Sequence, residues 1–558
     1  MFRIKVVFGL ILLAFFLVVI RLFYWQVLQS TSLTQAASQQ YFHTLDIAPL
    51  RGNLVANDGS PLVANKTAYL VYAEPKKIEK KDEFAQRISE LLGLTKDLVS
   101  TRISQEDLVW VPLKHKVDEE TSRKIKELKL EGIGFEKEGK RFYPESSMAA
   151  HLFGFVGSDI NGDDKGYFGL EGFYNLALRG KPGSLVQEKD ARGLPILLGS
   201  GRRIMAENGQ TLELYLDRTV QFIIENKLKS GIEKYGAKEG LIAVMDPKTG
   251  GILGAAAWPK YDPSQFDNYP SSLFPNPLIA HTYEPGSTFK TLVMAAALSE
   301  RVVEPSTEFN EDGPIKVGPY LIRTWNNEYH GQMTMIKVLE KSSNPGMVYV
   351  QKKLGKNKFV DYIKRYGFGE KTGIDLEEEA EAQIRKDSEW KEIDLATASF
   401  GQGIAVTPIQ MLRAVASLAN DGVLLEPHVV HKMIDASGKT IETKPKKIAE
   451  VLRPAAAKTI TEMMINAVDN GEAKWAKPKG YRIAGKTGTA QIPVEGHYDE
   501  NKTIASFVGF APADDPKFVM LVLLREPTSS PWGSETAAPL FFSIVKELFA
   551  YYGISPKD

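Results

Sequence analysis

The chain begins with one long apolar segment, and this segment decides where everything after it can fold. Residues 6–20 carry no polar side chain, and they follow the cations Arg3 and Lys5. The apolar spacing continues to Leu28, and residues 5–28 would span roughly 36 Å as a helix, enough to cross a bilayer. A short basic flank favours a cytoplasmic N-terminus. We therefore predict a cytoplasmic tail at 1–4, a transmembrane helix at 5–28 and an extracytoplasmic remainder, with signal-peptide cleavage as the open alternative.

Arg21 lies near the end of this span, where a cation is costly unless it reaches the membrane interface or meets a partner. Tyr24 and Trp25 follow it and suit an interfacial aromatic belt. The sequence therefore predicts a contact for Arg21, and a second protein within the membrane is one candidate for that contact.

Composition excludes several classes of function for the rest of the chain. Lys plus Arg and Asp plus Glu both number 69, so there is no basic excess to bind nucleic acid. The chain has no cysteine, which removes disulfides, thiol nucleophiles and cysteine zinc sites. The closest histidines, His428 and His431, lie in a segment that lacks carboxylate partners at metal-ligand spacing, and Gly-rich phosphate loops are absent. We expect no metal and no nucleotide cofactor, so any catalysis must use oxygen or nitrogen groups.

Length and local patterning predict two folded domains after the anchor, because 558 residues exceed what one core usually supports. Residues 29–213 mix short strands with polar helices and hold no catalytic cluster, so we interpret them as a scaffold. Residues 214–558 begin with an amphipathic helix at 218–235 and a β-hairpin around Asp246-Pro247-Lys248-Thr249-Gly250. They end in a strand at 518–524 and a helix at 538–552. This order predicts an α+β domain.

The first motif in this domain is Ser287-Thr288-Phe289-Lys290, directly after Glu284-Pro285-Gly286. The Pro-Gly break and the apolar run at 292–298 predict a loop that leads into a helix, with Lys290 one turn after Ser287. Serine needs a base to act as a nucleophile, and a lysine can serve when burial lowers its pKa. Two further Ser-x-x-Lys tetrapeptides, which begin at Ser388 and Ser543, lack this loop-to-helix setting.

The second motif, Ser342-Ser343-Asn344, follows a helical pattern at 335–341. The Ser342 hydroxyl can relay a proton, and the Asn344 amide can both donate to and accept from a peptide backbone. The alternative is simple capping of a helix end. Because Pro345 follows, we expect extended backbone at Asn344.

The third motif, Lys486-Thr487-Gly488-Thr489, is predicted to be extended. Gly488 would let a peptide strand approach closely, and Lys486 with the two threonine hydroxyls would suit a terminal carboxylate. The Lys-Thr-Gly triplet also occurs at 248–250 and 371–373, where we interpret it as a turn.

These three motifs, in this order within one domain, form the motif set of penicillin-binding proteins and class A β-lactamases. The sequence resembles the class B penicillin-binding proteins along almost its whole length. The resemblance implies a dimerisation-type pedestal and a transpeptidase domain with an antiparallel sheet flanked by helices, and Ser-Ser-Asn favours the division-associated type. Segments outside the three motifs also match: Gly401-Gln402-Gly403, Thr407-Pro408, Arg51-Gly52, Arg141-Phe142-Tyr143-Pro144 and Gly169-Leu170-Glu171-Gly172.

The resemblance also implies roles for individual residues. Ser287 would be the acylated nucleophile, Lys290 its general base and Ser342 a proton relay. Backbone N–H groups of Ser287 and Thr489 would form the oxyanion hole. The substrate-binding residues would be Asn344, Lys486, Thr487, Gly488 and Thr489.

The implied reaction is peptidoglycan D,D-transpeptidation, in which a D-alanyl-D-alanine stem acylates the serine and is passed to an amine on a neighbouring stem. β-Lactams would acylate the same serine. The glycosyltransferase pattern of bifunctional relatives, Glu-Asp-x-x-Phe-x-x-His-x-Gly, is absent, and Glu106-Asp107 lacks its later members. We therefore expect a separate membrane glycosyltransferase and other wall-synthesis proteins as partners, at the bacterial cell membrane. A D,D-carboxypeptidase, a β-lactamase or β-lactam sensor, and a division scaffold with dispensable chemistry remain alternatives.

Overall fold

The computed structural model describes residues 1–104, 108, 110–160, 162–188, 201–494 and 497–557. The pair Glu106-Asp107 lies outside the described residues. The chain divides into two compact units. Met1–Arg51 and Arg179–Gly209 form the first unit, and Gly52–Leu178 and Gln210–Asp558 form the second.

The first unit contains a helix that is long and apolar enough to cross a membrane. An α-helix at Phe2–Phe23 continues as a π-helical turn at Tyr24–Leu28, giving one candidate span at Phe2–Leu28. This bears out the predicted apolar helix. The other elements of the unit are the helix Ser30–Tyr41 and an antiparallel sheet of the strands Phe42–Ile47, Gly183–Glu188 and Gly201–Ile204.

Arg21 makes a contact within its own helix. Its guanidinium carbon lies 5.4 Å from the ring centroid of Tyr24 and 4.9 Å from that of Trp25. Both distances are within the range of cation–π attraction. The predicted contact of Arg21 is thus made by the two aromatic residues that follow it.

The pedestal portion of the second unit is built around the long strand Pro61–Ala73. The strands Leu54–Val55, Val111–Asp118 and Ile133–Phe142 pair with it in antiparallel fashion. The remaining elements are the helices Lys81–Leu92, Lys96–Ile103, Glu119–Glu127, Ala150–Phe153, Gly169–Phe173 and Asn175–Arg179, and the strands Phe155–Ser158 and Asp164–Tyr167.

A buried ion pair ties two segments of this pedestal together. Arg141 Nε donates to Glu171 Oε1 at 2.6 Å, and the two side chains are 5% and 0% exposed. Arg141 Nη1 also donates to the carbonyl of Gly52 at 2.7 Å. Because water is excluded, the attraction between these two charges is stronger than at the surface.

The rest of the second unit contains a five-stranded antiparallel sheet. Its strands are β1 (Glu239–Met245), β2 (Ile252–Trp258), β3 (Ala484–Val494), β4 (His497–Ala511) and β5 (Phe518–Arg525), in the order β2-β1-β5-β4-β3. β1 and β2 form the predicted hairpin, and β5 is the predicted late strand. The extended conformation predicted for the third motif is confirmed, because this motif lies in β3 at one edge of the sheet.

Helices cover both faces of this sheet, which confirms the α+β class. On one face, the predicted helix Arg218–Tyr235 and the terminal helix Ala537–Tyr551 share a core with residues of β4 and β5. On the other face lies α1 (Lys290–Ser299), in which every residue is buried. Burial on every side places this helix within the core of the domain. It packs against the helices Pro408–Leu418 and Pro454–Asn470, which also contact the sheet.

The smaller elements of this portion lie outside the five-stranded sheet, and most of them form the helical region beside it. The helices are Pro277–Ala280, Met335–Glu340, α2 (Asn344–Leu354), Lys356–Arg365 and Glu392–Ala398. The short strands are Glu308–Glu311, Ile315–Val317, Tyr320–Ile322, Gly331–Thr334, Val423–Leu425, Val430–Ile434, Thr440–Glu442 and Lys447–Glu450. The helix predicted at 335–341 is thus confirmed.

The strand Thr211–Leu214 crosses the predicted domain boundary. It pairs in parallel with Leu54–Val55 of the pedestal and in antiparallel fashion with Val430–Ile434 of the later portion. One sheet therefore continues from the pedestal into residues after 214. The boundary itself, between 213 and 214, stays a prediction.

We expect Arg141→Ala to destabilise the second unit by about 3–5 kcal/mol, because it removes the buried cation that pairs with the Glu171 carboxylate. The matched control is Arg87→Ala, since Arg87 and its partner Glu83 are 49% and 46% exposed. An exposed pair of this kind contributes about 0–1 kcal/mol. Chemical denaturation of the two variants measures the difference, and equal shifts of the midpoint would contradict the structural role of the buried pair.

Candidate active site

Ser287 lies in a single 3₁₀ turn, Gly286–Phe289, that leads directly into α1. The predicted loop-to-helix setting is confirmed, although the α-helix itself begins at Lys290. Gly286 has a left-handed φ of 55°, and its N–H donates to the carbonyl of Gly401 at 3.0 Å. A Cβ at Gly286 would lie 3.0 Å from the carbonyl oxygen of Thr489. Glycine therefore lets the turn that carries Ser287 lie close against β3.

Lys290 is fully buried, and its amine contacts the second motif. Nζ lies 2.6 Å from the carbonyl oxygen of Ser342, 2.7 Å from Asn344 Oδ1 and 3.2 Å from Ser342 Oγ. A neutral amine can donate its two N–H groups to the first two oxygens. Its lone pair then remains available to accept a proton from a hydroxyl group.

The surroundings of Lys290 favour this neutral form. Burial lowers the pKa of Lys290 well below its ordinary value, and the nearby charge of Lys486 lowers it further. The negative charges of Glu472 and Glu311 act in the opposite direction and raise this pKa. The site thus holds an amine whose charge state is set mainly by exclusion from water.

The second motif combines capping with contact to Lys290. Ser343 Oγ accepts a hydrogen bond from the N–H of Gly346 at 2.8 Å and caps α2. Ser342, with a left-handed φ of 56°, and Asn344 make the contacts to Lys290. The capping interpretation therefore holds for Ser343, while the residues on either side of it reach the amine.

The expectation of extended backbone at Asn344 is wrong, because Asn344 is the first residue of α2. Proline is well accommodated in the first helical turn, where its missing N–H costs no hydrogen bond. The cap from Ser343 satisfies a further N–H of that turn and outweighs the extended bias that Pro345 imposes on its neighbour.

The orientation of the Asn344 amide is fixed from both ends. Its Oδ1 accepts from Lys290, and its Nδ2 donates to the carbonyl of Arg323 at 2.9 Å. An amide nitrogen carries two N–H groups. The second N–H of Asn344 is therefore suited to a backbone carbonyl of a bound peptide.

The third motif lies along β3. Lys486 Nζ contacts Thr487 Oγ1 at 3.1 Å, and burial lowers the pKa of Lys486 to about 8. Gly488 is paired with Ser506 of β4, and a Cβ at this position would overlap Ser506 Oγ and lie 2.9 Å from Thr288 Cγ2. Only glycine fits between the two strands and the Ser287 turn.

Thr489, the last residue of this motif, accepts a hydrogen bond at Oγ1 from the N–H of Gly533 at 3.0 Å. Because its oxygen is used as an acceptor, its own proton is free to be donated to a ligand. The structure thus brings Lys290, Ser342 and Asn344 into direct contact, and it packs the Ser287 turn against the strand of Gly488 and Thr489. Lys486 and Thr487 contact each other on that same strand.

A buried carboxylate that the sequence analysis did not single out supports the second motif. Glu311 is 1% exposed, and it accepts hydrogen bonds from Ser343 Oγ and, at 3.3 Å, from the N–H of His330. Ser343 Oγ therefore donates to Glu311 while it accepts from Gly346. An isolated glutamate in a short polar strand gives no sequence signal for such a role.

Two known protein-family profiles match this chain, and together they cover most of its length. The family profile described as "Penicillin binding protein transpeptidase domain" matches residues 240–546, and "Penicillin-binding Protein dimerisation domain" matches residues 46–214. Stage V sporulation protein D of Bacillus subtilis is 34% identical over 99% of this chain and 85% of its own length. Peptidoglycan D,D-transpeptidase FtsI of Escherichia coli is 29% identical over 98% of this chain and 91% of its own.

A solved structure of a penicillin-binding protein has a similar fold. The crystal structure of Penicillin Binding Protein 2X from Streptococcus thermophilus matches with a TM-score of 0.76 and 25% identity, over 92% of this chain and 81% of that one. The pedestal, the five-stranded domain and the three motifs thus define a penicillin-binding protein with a dimerisation domain and a transpeptidase domain. Within that class, the chain belongs to the class B penicillin-binding proteins, the D,D-transpeptidases.

We expect Glu472→Gln to move the acidic limb of the pH profile of penicillin acylation to lower pH. The Glu472 carboxylate is exposed and raises the pKa of both Lys290 and Lys486, so its loss makes the neutral amine available at lower pH. Stopped-flow acylation across the pH range measures this shift. Glu233→Gln, which removes an exposed charge on the far helix Arg218–Tyr235, is the control and should leave the profile unchanged. An upward shift for Glu472→Gln would contradict the electrostatic account.

At a pH above the acidic limb, where Lys290 is already neutral, we expect Glu311→Ala to slow penicillin acylation about tenfold, since a buried hydroxyl without its acceptor costs about 1–3 kcal/mol. Glu311→Gln keeps an acceptor for Ser343 and should recover most of the rate. Glu308→Gln, at an exposed position on the same strand, is the matched control. A Glu311→Ala variant that is acylated at the wild-type rate would show that Glu311 does not support the second motif.

Proposed function

We propose that this protein is a peptidoglycan D,D-transpeptidase that cross-links stem peptides in cell-wall synthesis through an acyl-enzyme on Ser287. The observation that carries the proposal is the fully buried amine of Lys290, one turn after Ser287 and bound to Ser342 and Asn344. A neutral lysine amine can accept the proton of a serine hydroxyl. Relatives named peptidoglycan D,D-transpeptidase, among them proteins of Neisseria meningitidis and Escherichia coli, support the substrate class.

The donor half of the reaction acylates the enzyme. Ser287 Oγ forms a bond to the carbonyl carbon of the penultimate D-alanine, and the bond from that carbon to the terminal D-alanine nitrogen breaks. Lys290 takes the proton of Ser287 and returns it through the Ser342 hydroxyl to the leaving nitrogen, so that D-alanine departs as an amine and Lys290 is neutral again. Backbone N–H groups of Ser287 and Thr489 donate to the developing oxyanion, where a single donor contributes about 3 kcal/mol in other enzymes.

Recognition of the donor uses the edge strand β3. An extended stem peptide can add to this edge by backbone hydrogen bonds, and Gly488 leaves room for the approach. Lys486, Thr487 and Thr489 then bind the terminal carboxylate. The second N–H of Asn344 binds a backbone carbonyl of the donor.

The acceptor half of the reaction restores the enzyme. An amine on a neighbouring stem attacks the ester carbon, a new amide bond forms and the bond from that carbon to Ser287 Oγ breaks. The attacking amine loses a proton to Lys290, and Lys290 returns that proton to Ser287 Oγ. β-Lactams acylate the same serine because they present a strained amide to the same groups.

The apolar helix supports a single-pass anchor in the bacterial cell membrane. Arg3 and Lys5 favour a cytoplasmic N-terminus and an extracytoplasmic catalytic domain. The sequence lacks the glycosyltransferase pattern, so the glycan strands come from a separate membrane glycosyltransferase in the wall-synthesis complex. The Ser-Ser-Asn motif favours the division-associated type, with septal wall as the product.

The test is reconstitution of the full-length protein in vesicles with a glycosyltransferase and the lipid-linked precursor. We expect cross-linked stem dimers with the wild type and none with Ser287→Ala, because the nucleophile is lost. Ser388→Ala removes the serine of another Ser-x-x-Lys tetrapeptide and should keep the activity. Without the glycosyltransferase, this protein should leave the precursor unpolymerised.

Each alternative function predicts a different result, either in this reconstitution or in a separate assay. Shortened stems without dimers would indicate a carboxypeptidase, and rapid turnover of penicillin would indicate a β-lactamase. Growth supported by the Ser287→Ala variant in place of the wild type would indicate a scaffold with dispensable chemistry. Any of these results would overturn the proposed transpeptidase function.

A further inference from the structure

Two tryptophan side chains contact each other beside the candidate site. Trp325 follows the strand Tyr320–Ile322 in the helical region, and Trp532 lies in the loop between β5 and the terminal helix. Their ring centroids are 4.9 Å apart, with the ring planes at 63° in an edge-to-face arrangement. Trp325 is 44% exposed, so this contact is not part of the buried core.

The loop of Trp325 is tied to one proposed donor-binding residue. The carbonyl of Arg323 accepts the hydrogen bond from Asn344 Nδ2. Thr324 is buried, and its hydroxyl donates to the carbonyl of Glu328 at 2.9 Å, which closes the loop behind Trp325. A displacement of Trp325 would therefore pull on the backbone that orients the Asn344 amide.

The loop of Trp532 is tied to the other side of the site. The N–H of Gly533 donates to Thr489 Oγ1, and a Cβ at Gly533 would overlap the carbonyl oxygen of Gly488. The carbonyl of Pro531 accepts from the Thr503 hydroxyl at 3.0 Å. The backbone on each side of Trp532 is thus held against β3 and β4.

We infer that the contact between Trp325 and Trp532 is a brace that fixes the distance between Asn344 and Thr489. Both tryptophans are positioning residues, since each acts through the backbone of its own loop. This inference rests on the proposed function, in which one donor peptide must reach the Asn344 amide and the Thr489 hydroxyl together. Catalysis is sensitive to displacements of about 1 Å in such groups.

The test is a double-mutant cycle on the full-length protein, with Trp325→Ala, Trp532→Ala and the double variant. Penicillin acylation should slow about tenfold in each single variant, because either change removes the same contact. The double variant should be no more than about twofold slower than the singles, since residues that act only through each other are not additive. Trp325→Phe and Trp532→Phe keep a ring at each position and should recover most of the rate.

Trp475→Ala is the matched control, because Trp475 is 65% exposed and has no part in the contact. It should be acylated at the wild-type rate. Single Ala variants at the wild-type rate, or a double variant about a hundredfold slower, would overturn the brace. If the Ala variants do not fold, the Phe variants are used for the test. A Phe variant that is acylated as slowly as Ser287→Ala would also contradict the proposed brace. A wild-type protein that penicillin does not acylate would instead refute the proposed function.

Discussion

A lysine amine without access to water is the constraint on which the candidate site depends. A buried ammonium loses far more solvation than hydrogen bonds to neutral groups return, so burial of Lys290 favours the uncharged amine. The helix α1 that carries it is buried along its whole length, so Lys290 cannot turn toward solvent without disrupting the core. The packing that stabilises the domain therefore also sets the chemical state of the proposed base. Lys486 adds a like charge nearby, and Glu311 and Glu472 limit how far the pKa falls.

Close approach of backbones then determines where this amine can act. Gly286 and Gly488 lie where the Ser287 turn meets β3, and a side chain at either position would press on the opposite segment. Gly533 continues this arrangement on the outer side, where its N–H holds the Thr489 hydroxyl. In the inner part of the site, glycines therefore set the distance between the packed backbone segments. In its outer part, the contact between Trp325 and Trp532 joins the two sides. In this account, the geometry of the site depends on the Ser287 turn and the Trp532 loop, which both pack on β3, and on the Trp325 loop, which contacts Asn344.

The parts of this structure that depend on local pattern could be predicted from the sequence. The β1–β2 hairpin, the helix Arg218–Tyr235 and the extended Lys486-Thr487-Gly488-Thr489 segment follow from periodicity and turn residues. The conformation of Asn344 was predicted wrongly, because the cap from Ser343 outweighed the effect of Pro345. The contact of Glu311 with Ser343, and that of Trp325 with Trp532, join segments far apart in the chain. Such contacts arise only from the tertiary fold, so no pattern in the sequence marks them.

The protonation state of Lys290 tests the central claim most directly. In full-length protein labelled with ¹³C at the lysine ε-carbons, the Lys290 signal can be assigned by its loss in the Lys290→Arg variant, and its shift can be followed with pH. The account predicts a titration midpoint well below the ordinary range of lysine, with an uncharged amine over the range in which the enzyme is acylated. A midpoint near the model-peptide value of about 10.4 would contradict it, because Lys290 would then be a cation that cannot take the proton of Ser287.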